Sequence, residues 1–239
     1  MAAKIPNDIF QYSTTGALQA GYSSHGPVVH HLQGYGTHGF GVLAGSNSDL
    51  VFVDSKAYQI SKDGRNLAQK APADAGLAFV IVTKFVPEYQ LTVNGSLDKD
   101  ALLDVFGSQG DGAGGKNSFI PFRIRGEFAR IKLKGNINTP DQADHSTSNP
   151  GDDDLLDVKG TIFGFIGPES FAGVSVCGVH GCFLSDAPDN EESRGGSFDD
   201  FEAKGEVEVA WAVTGRFHIG FPRGDEWENL DITKTIASN

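Results

Sequence analysis

The feature that most constrains the fold is a long alternation of apolar and basic residues over positions 120–137, IPFRIRGEFARIKLKGNI. Neighbouring side chains on a β-strand point to opposite faces, so this alternation predicts a long strand with an apolar face and a basic face. The parity of the pattern shifts near Gly126, which predicts a β-bulge or a bend at that residue. A strand-rich fold is therefore the first expectation.

Other segments extend this expectation to most of the chain. The run GLAFVIVTKFV at 76–86 is almost continuously apolar and rich in β-branched residues, which is typical of a strand buried on both faces. Further strands are predicted at 48–64, as a hairpin, and at 158–168, 173–186 and 205–222. Short helices are predicted at 15–22 and at 96–108, the second with Ser96 as its N-cap.

These elements predict a mainly β or α+β fold of two packed β-sheet halves with a few short helices. The polar segment 138–154, which carries Pro and Gly, is predicted to be a surface loop that joins the halves. The N-terminal half would span residues 1–137, and the C-terminal half would span residues 155–239.

Composition excludes several classes of partner and location. The formal charge of −12 gives an acidic surface that repels phosphate backbones, so no nucleic acid partner is expected. No segment approaches the roughly 18 apolar residues of a membrane helix, and the N-terminus lacks the apolar core of a signal peptide. Two cysteines are too few for a secreted disulfide scaffold. The prediction is a soluble cytoplasmic protein with no membrane partner.

The strongest functional signal lies in the stretch VCGVHGCFLSDAPDNEESRGGSFDD, which begins at Val176. His180 and Cys182 are two residues apart, so on a strand they share one face, whereas Cys177 points to the other. This parity argues against a disulfide between the two cysteines. A hairpin after this strand would bring Ser197 to face His180 and Cys182.

With these segments in view, the chain resembles the acetolactate decarboxylase family, from about residue 9 to residue 232. The matching segments, in chain order, are IFQYSTTGALQAG, YGTHGFGVLAG, SDLVFVDSKAYQISKDG, FRIRGEFARIKLK, GTIFGFIGPESFAGVSVCGVHGCFLSD and RGGSFDDFE. The resemblance implies the family's fold, a homodimer and a zinc ion held by three histidines. It also implies decarboxylation of a 2-hydroxy-3-keto acid, in which the metal stabilises the enediolate that forms.

The family's functional positions are mostly altered in this chain. The first zinc histidine falls on His180, but the second falls on Cys182 and the third on Ser197. A family glutamate near the substrate falls on Asp49, and the catalytic arginine falls on Lys134. The family's glutamate near the C-terminus has no counterpart in DITKTIASN.

These changes weaken the case for zinc. A neutral serine hydroxyl is a poor zinc ligand, and lysine lacks the bidentate grip of arginine on a carboxylate. Aspartate draws a carboxylate back by one methylene relative to glutamate. The prediction is therefore a site without metal or other cofactor. Zinc is the alternative, and it would be held by His180 and Cys182.

The function predicted from these residues is that of a metal-independent enzyme acting on a small carbonyl-bearing metabolite. The specific hypothesis is a cyclase, such as a Diels–Alder type cycloaddition in secondary metabolism, because such reactions depend on holding a reactive conformer. One alternative is a zinc-dependent acetolactate decarboxylase with an altered His/Cys site, and the other is a ligand-binding protein without catalysis. The predicted catalytic residues are His180, Lys134, Arg123 and Asp49, and the predicted pocket residues are Cys182, Ser197, Phe163 and Trp211.

Structural roles remain open for most of these residues at this stage. Phe163 and Trp211 are typical of core positions, and a buried cysteine behaves as a small hydrophobe. Arg123 and Lys134 also fit the solvated face of an alternating strand, and Asp49 also fits a turn cap. Only the tertiary structure can separate these interpretations.

Overall fold

The computed structural model describes residues 6–46, 48–61, 63–107, 114–134, 154–187 and 192–232. Within these residues the chain forms mostly β-strands with a few short helices. The strands are β1 Ile9–Tyr12, β2 His38–Leu43, β3 Asp49–Val53, β4 Lys56–Ile60, β5 Ala68–Lys70, β6 Leu77–Thr83, β7 Tyr89–Asn94, β8 Ile120–Leu133, β9 Asp154–Gly167, β10 Gly178–Ser185, β11 Gly195–Trp211 and β12 Phe217–Gly220. The α-helices are α1 Thr15–Gln19, α2 Ala101–Gly107 and α3 Asp225–Glu228, with 3-10 turns at Val29–Gly34 and Glu169–Phe171.

The strands form two sheets, which confirms the predicted fold class. The first sheet has seven strands in the order β12-β1-β6-β2-β3-β4-β5. The second has five strands in the order β10-β9-β8-β11-β7, and β10 also pairs with the first residues of β11. This extra pairing closes β8, β9, β10 and β11 into a ring, so that β10 and β11 meet edge to edge beside the first sheet.

The predicted division into residues 1–137 and 155–239 does not coincide with the two sheets. Strands β7 and β8 come from the first range but pair with β9 and β11 from the second. Strand β12 from the second range pairs in parallel with β1. The physical reason is the length of β8, whose two edges take up β9 and β11 along almost their whole lengths. The predicted loop at 138–154 lies outside the described residues, except for Asp154, which begins β9.

Several local predictions are confirmed and three need correction. Every residue of β6 is buried, as the apolar run predicted. Gly126 has φ of 155°, and the register of β8 with β11 shifts beside it, so the predicted irregularity is present. Helix α2 is capped by Asp98, whose Oδ1 accepts a hydrogen bond from the Ala101 amide at 2.8 Å, and not by Ser96. The strand predicted at 173–186 begins later, as β10 at Gly178. The strand predicted at 205–222 is divided into the end of β11 and the separate strand β12.

Three apolar clusters hold the sheets together. One packs within the five-stranded sheet, and another covers the outer face of the seven-stranded sheet. The third lies between the two sheets and joins Val51 and Ile81 of the first sheet to Phe163 and Cys182 of the second. The candidate functional residues lie against this intersheet layer. Among the described residues, no helix combines the length and apolar character needed to cross a membrane.

Candidate functional site

Four side chains line up across the second sheet, on neighbouring strands. Ser197 on β11 pairs with Cys182 on β10, Cys182 pairs with Phe163 on β9, and Phe163 pairs with Arg123 on β8. Cross-strand partners share a face of a sheet, so these four residues form one row that faces the first sheet. We call Ser197, Cys182, Phe163 and Arg123 the central row.

The Ser197 end of the central row has the geometry that the hairpin prediction required. The Cys182 Sγ and Ser197 Oγ atoms lie 3.7 Å apart, within the reach of a weak sulfur hydrogen bond. The Ser197 amide donates a hydrogen bond of 2.9 Å to Oδ2 of Asp49, which lies at the start of β3. Gly196 has φ of 141°, a conformation that favours glycine, and a Cβ added at this position would lie 3.9 Å from Oδ2 of Asp49. Asp49 therefore ties the two sheets together beside the site, and it does not act as the turn cap that was the alternative.

His180 lies two residues before Cys182 on β10 and is partly buried. Burial, with a further contribution from the positive charges of Lys134 and Lys99, lowers the pKa of His180 to about 4. The carbonyls of Gly178 and Cys177 act weakly in the opposite direction. Nδ1 of His180 is buried without a well-aligned hydrogen-bond partner among the described residues. Near neutral pH the imidazole of His180 is therefore uncharged.

The thiol of Cys182 is held in its protonated form. Its side chain is buried, and burial raises the pKa of Cys182 strongly, with the charge of Asp49 acting in the same direction. Beside it, the Lys134 amide donates a hydrogen bond of 2.8 Å to the Ser197 carbonyl. The positive charge of Lys134 acts to lower the pKa of both Cys182 and His180.

The structure thus brings together five of the residues predicted from the sequence. We call them the site cluster: Asp49, Lys134, His180, Cys182 and Ser197. One member lies on β3 of the first sheet. The other four lie on β10 or β11 of the second sheet, or directly follow β8 of that sheet. The cluster contains a carboxylate, an ammonium group, a neutral imidazole, a thiol and a hydroxyl.

Arg123 belongs to a different group of residues, across the buried ring of Phe163. Its Nη2 atom donates to Oε1 of Glu208 at 2.9 Å, and its guanidinium lies over the ring of Phe85 at 5.6 Å from the centroid. Only 14% of the side chain is exposed, so the solvated-face alternative does not hold. The ion pair and the separation by Phe163 place Arg123 outside the site cluster.

Sequence reasoning missed the buried His38, which packs against Phe163 with ring centroids 4.8 Å apart. Its Nε2 lies 3.1 Å from Oδ1 of Asp54, although the N–H is not well aligned with that oxygen. Thr37 Oγ1 lies 2.9 Å from Nδ1 of His38, within hydrogen-bond distance, and accepts a hydrogen bond from the Phe85 amide. Burial lowers the pKa of His38 to about 4, so the imidazole is neutral near pH 7. Its position on the inward face of β2, a strand with apolar neighbours, was the available signal.

Trp211 was predicted to line the pocket, and the structure corrects this. Trp211 is fully buried in the core of the second sheet, where it stacks on Tyr89 with ring centroids 5.3 Å apart. Its neighbour Ala210 lies in the intersheet layer, opposite Arg123. Because successive residues on β11 alternate between faces, Trp211 points away from the site cluster. Phe163, in contrast, lies directly beside Cys182 on the face toward the first sheet.

Comparison with known proteins identifies the scaffold. The sequence profile of the family described as Alpha-acetolactate decarboxylase matches residues 9–234. This chain belongs to that family. It is 32% identical to the alpha-acetolactate decarboxylase of Streptococcus thermophilus over 183 residues, which cover 74% of each chain. It is 27% identical to the alpha-acetolactate decarboxylase of Methylococcus capsulatus over 233 residues, which cover 95% of this chain and 85% of the relative.

Solved structures agree on the fold of this alpha-acetolactate decarboxylase family member. The crystal structure of alpha-acetolactate decarboxylase from Bacillus subtilis strain 168 superposes with a TM-score of 0.79, at 21% identity, over 94% of this chain and 93% of that one. A Staphylococcus aureus protein of unknown function similar to the enzyme superposes with the same score at 24% identity, over 97% of each chain. The recognition of the family from the sequence is confirmed.

The zinc that membership in the acetolactate decarboxylase family implies does not fit the donors present. Among the described residues, no three His, Cys, Asp or Glu side chains come together in a way that could hold a metal ion. In the site cluster, His180 is one good donor, Cys182 is a buried protonated thiol, and Ser197 offers only a neutral hydroxyl. Oδ2 of Asp49 already accepts the Ser197 amide.

Two surface depressions among the described residues lie away from the site cluster. Both are lined by Glu127, Lys159 and Lys204, near the bulge of β8 and β11. An ion pair of 2.9 Å between Lys204 and Asp157 lies at their rim. These depressions are open and charged, and none of the site cluster lines them, so they are not the candidate site.

Proposed function

We propose that this chain is a lyase that decarboxylates a small 2-hydroxy-3-oxo acid at the site cluster. Two kinds of observation support the proposal. The named relatives are alpha-acetolactate decarboxylases that align over most of the chain. The observation that carries the proposal is that His180 and Cys182 share one face of β10, where Cys182 contacts Ser197 and the Lys134 amide donates to the Ser197 carbonyl. Decarboxylation, which the sequence suggested only as an alternative and in a zinc-dependent form, agrees better with the relatives than the cycloaddition that the sequence first suggested.

The ammonium of Lys134 is the group suited to hold the substrate carboxylate. It makes no ion pair with the described residues, and it acts electrostatically on His180 and Cys182. A substrate carboxylate placed between Lys134 and His180 would gain the attraction of this charge in a partly buried place, where attraction is stronger than in water. Lys134 thus orients the bond that breaks.

In the reaction, the bond between the carboxylate carbon and the hydroxyl-bearing carbon breaks, and carbon dioxide leaves. The electron pair of that bond moves onto the remaining fragment and gathers on the oxygen of the former ketone as an enediolate. A proton then adds to carbon to give the hydroxy ketone. The barrier falls where hydrogen-bond donors are already placed at the oxygen on which charge develops.

The neutral groups of the site cluster can supply those donors. Near neutral pH the imidazole of His180 carries one N–H, and the thiol of Cys182 and the hydroxyl of Ser197 carry hydrogens that can rotate toward an oxygen. Asp49 carries a negative charge and would repel an anion. Its role is therefore to fix the Ser197 backbone, through the hydrogen bond from the Ser197 amide.

The proposal is tested by turnover of 2-hydroxy-2-methyl-3-oxobutanoate, with carbon dioxide and the hydroxy ketone measured. Lys134→Ala is expected to lower kcat/KM by about 100-fold, since one charge-assisted contact to a reacting anion is worth roughly 2–4 kcal/mol. Lys132→Ala is the matched control. Lys132 lies on β8, two residues before Lys134 in the chain, and its side chain is exposed. Its cross-strand neighbours are Asp154 on β9 and Asp200 on β11.

Three outcomes of this assay are informative. Loss of turnover in Lys134→Ala with normal turnover in Lys132→Ala supports the proposal. Equal activity of the two variants would remove Lys134 from the site. No release of carbon dioxide by the purified chain, above the spontaneous rate, would reject the decarboxylase function itself.

A second candidate function is a cyclisation without metal. It is favoured by the donor set of the site cluster, which suits hydrogen bonding to a carbonyl better than metal binding. In that case the cluster would hold a reactive conformer of a larger substrate, with Phe163 as the apolar wall. Conversion of a linear polyene carbonyl substrate to a ring of unchanged mass, lost in His180→Ala, would favour this function over decarboxylation.

A further inference from the structure

The spacing of the site cluster would allow a metal ion, although its chemistry does not. Two ligands of one tetrahedral zinc ion lie roughly 3.3–3.8 Å apart, given bond lengths of about 2.0–2.3 Å. The Cys182 Sγ and Ser197 Oγ atoms are 3.7 Å apart, within that range. His180 lies on the same face of β10, two residues from Cys182. The difference between this site and a zinc site is therefore concentrated in the nature of the donor atoms.

The local charges also disfavour a cation. The positive charges of Lys134 and Lys99 both lower the pKa of His180. Lys99 is held in place because its Nζ donates a hydrogen bond of 3.0 Å to the Asp199 carbonyl. Two ammonium groups repel a divalent ion and attract an oxyanion. Asp49 is the one carboxylate near Cys182 and Ser197 in the described part of the site, and its Oδ2 is engaged by the Ser197 amide.

We propose that the site cluster is an oxyanion-binding site made of protein donors, and that Ser197 is the residue that keeps it free of zinc. The inference deepens the proposed function and rests on it only for the identity of the oxyanion, a substrate carboxylate or enediolate. The absence of zinc binding is a property of the chain alone, and it can be measured without substrate.

The simplest test exchanges a single atom. Ser197→Cys replaces the hydroxyl by a thiol of similar shape. The donors are then the imidazole of His180, the thiol of Cys182 and the new thiol at position 197, a combination found in zinc enzymes. Ser197→Ala is the matched control, which removes the hydroxyl without adding a donor. Each protein is treated with chelator, returned to buffer with a reductant that prevents disulfide formation, dialysed against zinc ions alone and analysed for bound metal.

The expected result is about one zinc per chain in Ser197→Cys, and substoichiometric zinc in the native chain and in Ser197→Ala. A second variant, Cys182→His combined with Ser197→His, is expected to bind zinc in the same way and covers the case in which the thiol variant misfolds. The exposed change Glu202→His, on the same strand, controls for chance binding by an added imidazole.

Two results would overturn the inference. One is about one zinc per chain in the native protein after the same treatment. The other is a folded Ser197→Cys variant and a folded double histidine variant that both stay free of zinc, since the donor atom at position 197 would then not be the deciding feature.

Binding of an oxyanion to the site cluster is measured separately, by titration of the chain with 2-hydroxyisobutyrate, a stable hydroxy acid. Native chain is expected to bind it at least tenfold more tightly than Lys134→Ala does, and equal binding contradicts this part. A chain that binds the hydroxy acid and no zinc, but releases no carbon dioxide, would retain the inference and reject the decarboxylase function.

Discussion

The two ends of the central row are both polar, but their charged groups are paired in different ways. At the Arg123 end, the guanidinium contacts Glu208 at 2.9 Å and lies over Phe85. At the Ser197 end, the hydroxyl has a weak contact with a thiol, and the nearby Lys134 makes no ion pair with the described residues. The first end pairs its positive charge with a carboxylate of the chain, whereas the positive charge at the second end has no such partner among the described residues.

This difference separates residues that stabilise the fold from residues that are available to bind a ligand. A buried charge with a partner stabilises the particular arrangement of strands, because losing either partner leaves the other without compensation. A polar group without a partner adds little to stability and gains only when a ligand arrives. We therefore expect changes at Arg123 to affect mainly stability, and changes at Lys134 to affect mainly turnover.

The largest effect on stability is expected for Arg123→Ala. The change removes the ion pair with Glu208 and the contact with Phe85, and it should lower the free energy of unfolding by about 1–3 kcal/mol. Urea denaturation measures the loss. Arg125→Ala is the control, because Arg125 is 40% exposed and its pairing with Asp54 should be worth less than about 1 kcal/mol.

Lys134→Ala completes the comparison in the same denaturation experiment. It should change the free energy of unfolding by less than about 0.5 kcal/mol, as for most surface changes away from special contacts. A loss at Lys134 as large as the loss at Arg123 would show that the two ends of the row do not differ in the way proposed.

The next effect concerns pH and His38. Burial lowers the pKa of His38 to about 4, helped by Arg123 and Arg125, and it outweighs the opposing effect of Asp54. The unfolded chain binds the proton more readily than the folded chain does. The contribution of His38 to the free energy of unfolding is therefore fully present above about pH 6.5 and is lost as the pH falls toward 4. The slope is at most about 1.4 kcal/mol per pH unit for this histidine.

His38→Phe keeps an aromatic ring against Phe163 and removes the titration. The variant should lose less stability than the native chain between pH 6.5 and pH 4, as measured by urea denaturation at several pH values. His180 titrates in both proteins, so the difference between the two curves isolates His38. Parallel curves would mean that His38 is protonated in the folded state, in an ion pair with Asp54.

A small effect is also expected for Ser197→Ala. The change removes a weak contact of 3.7 Å to Cys182 but keeps the amide hydrogen bond to Asp49. The free energy of unfolding should fall by less than about 1 kcal/mol in thermal or urea denaturation. A loss above about 2 kcal/mol would assign Ser197 to the structural side of the comparison.

Sequence reasoning placed His180, Cys182 and Ser197 on one face because strand periodicity is a local property. His180 and Cys182 share a face by simple alternation, and the short connection after β10 places Ser197 opposite Cys182. The same reasoning failed for Trp211, since it did not determine which face of β11 turns toward the first sheet. It also could not separate Arg123 from Lys134, because one lies on β8 and the other directly follows it, and only their partners on other strands differ.

The amino-acid sequence by itself determined the strands, the family and the chemical character of the site, because each depends on neighbouring residues or on short motifs in order. The tertiary structure alone decided which polar groups meet. Asp49 reaches Ser197, and Glu208 reaches Arg123, across 148 and 85 residues of chain. Pairings over such distances depend on the register of strands and on the closure of β10 onto β11, and these are set by the packing of the whole sheet.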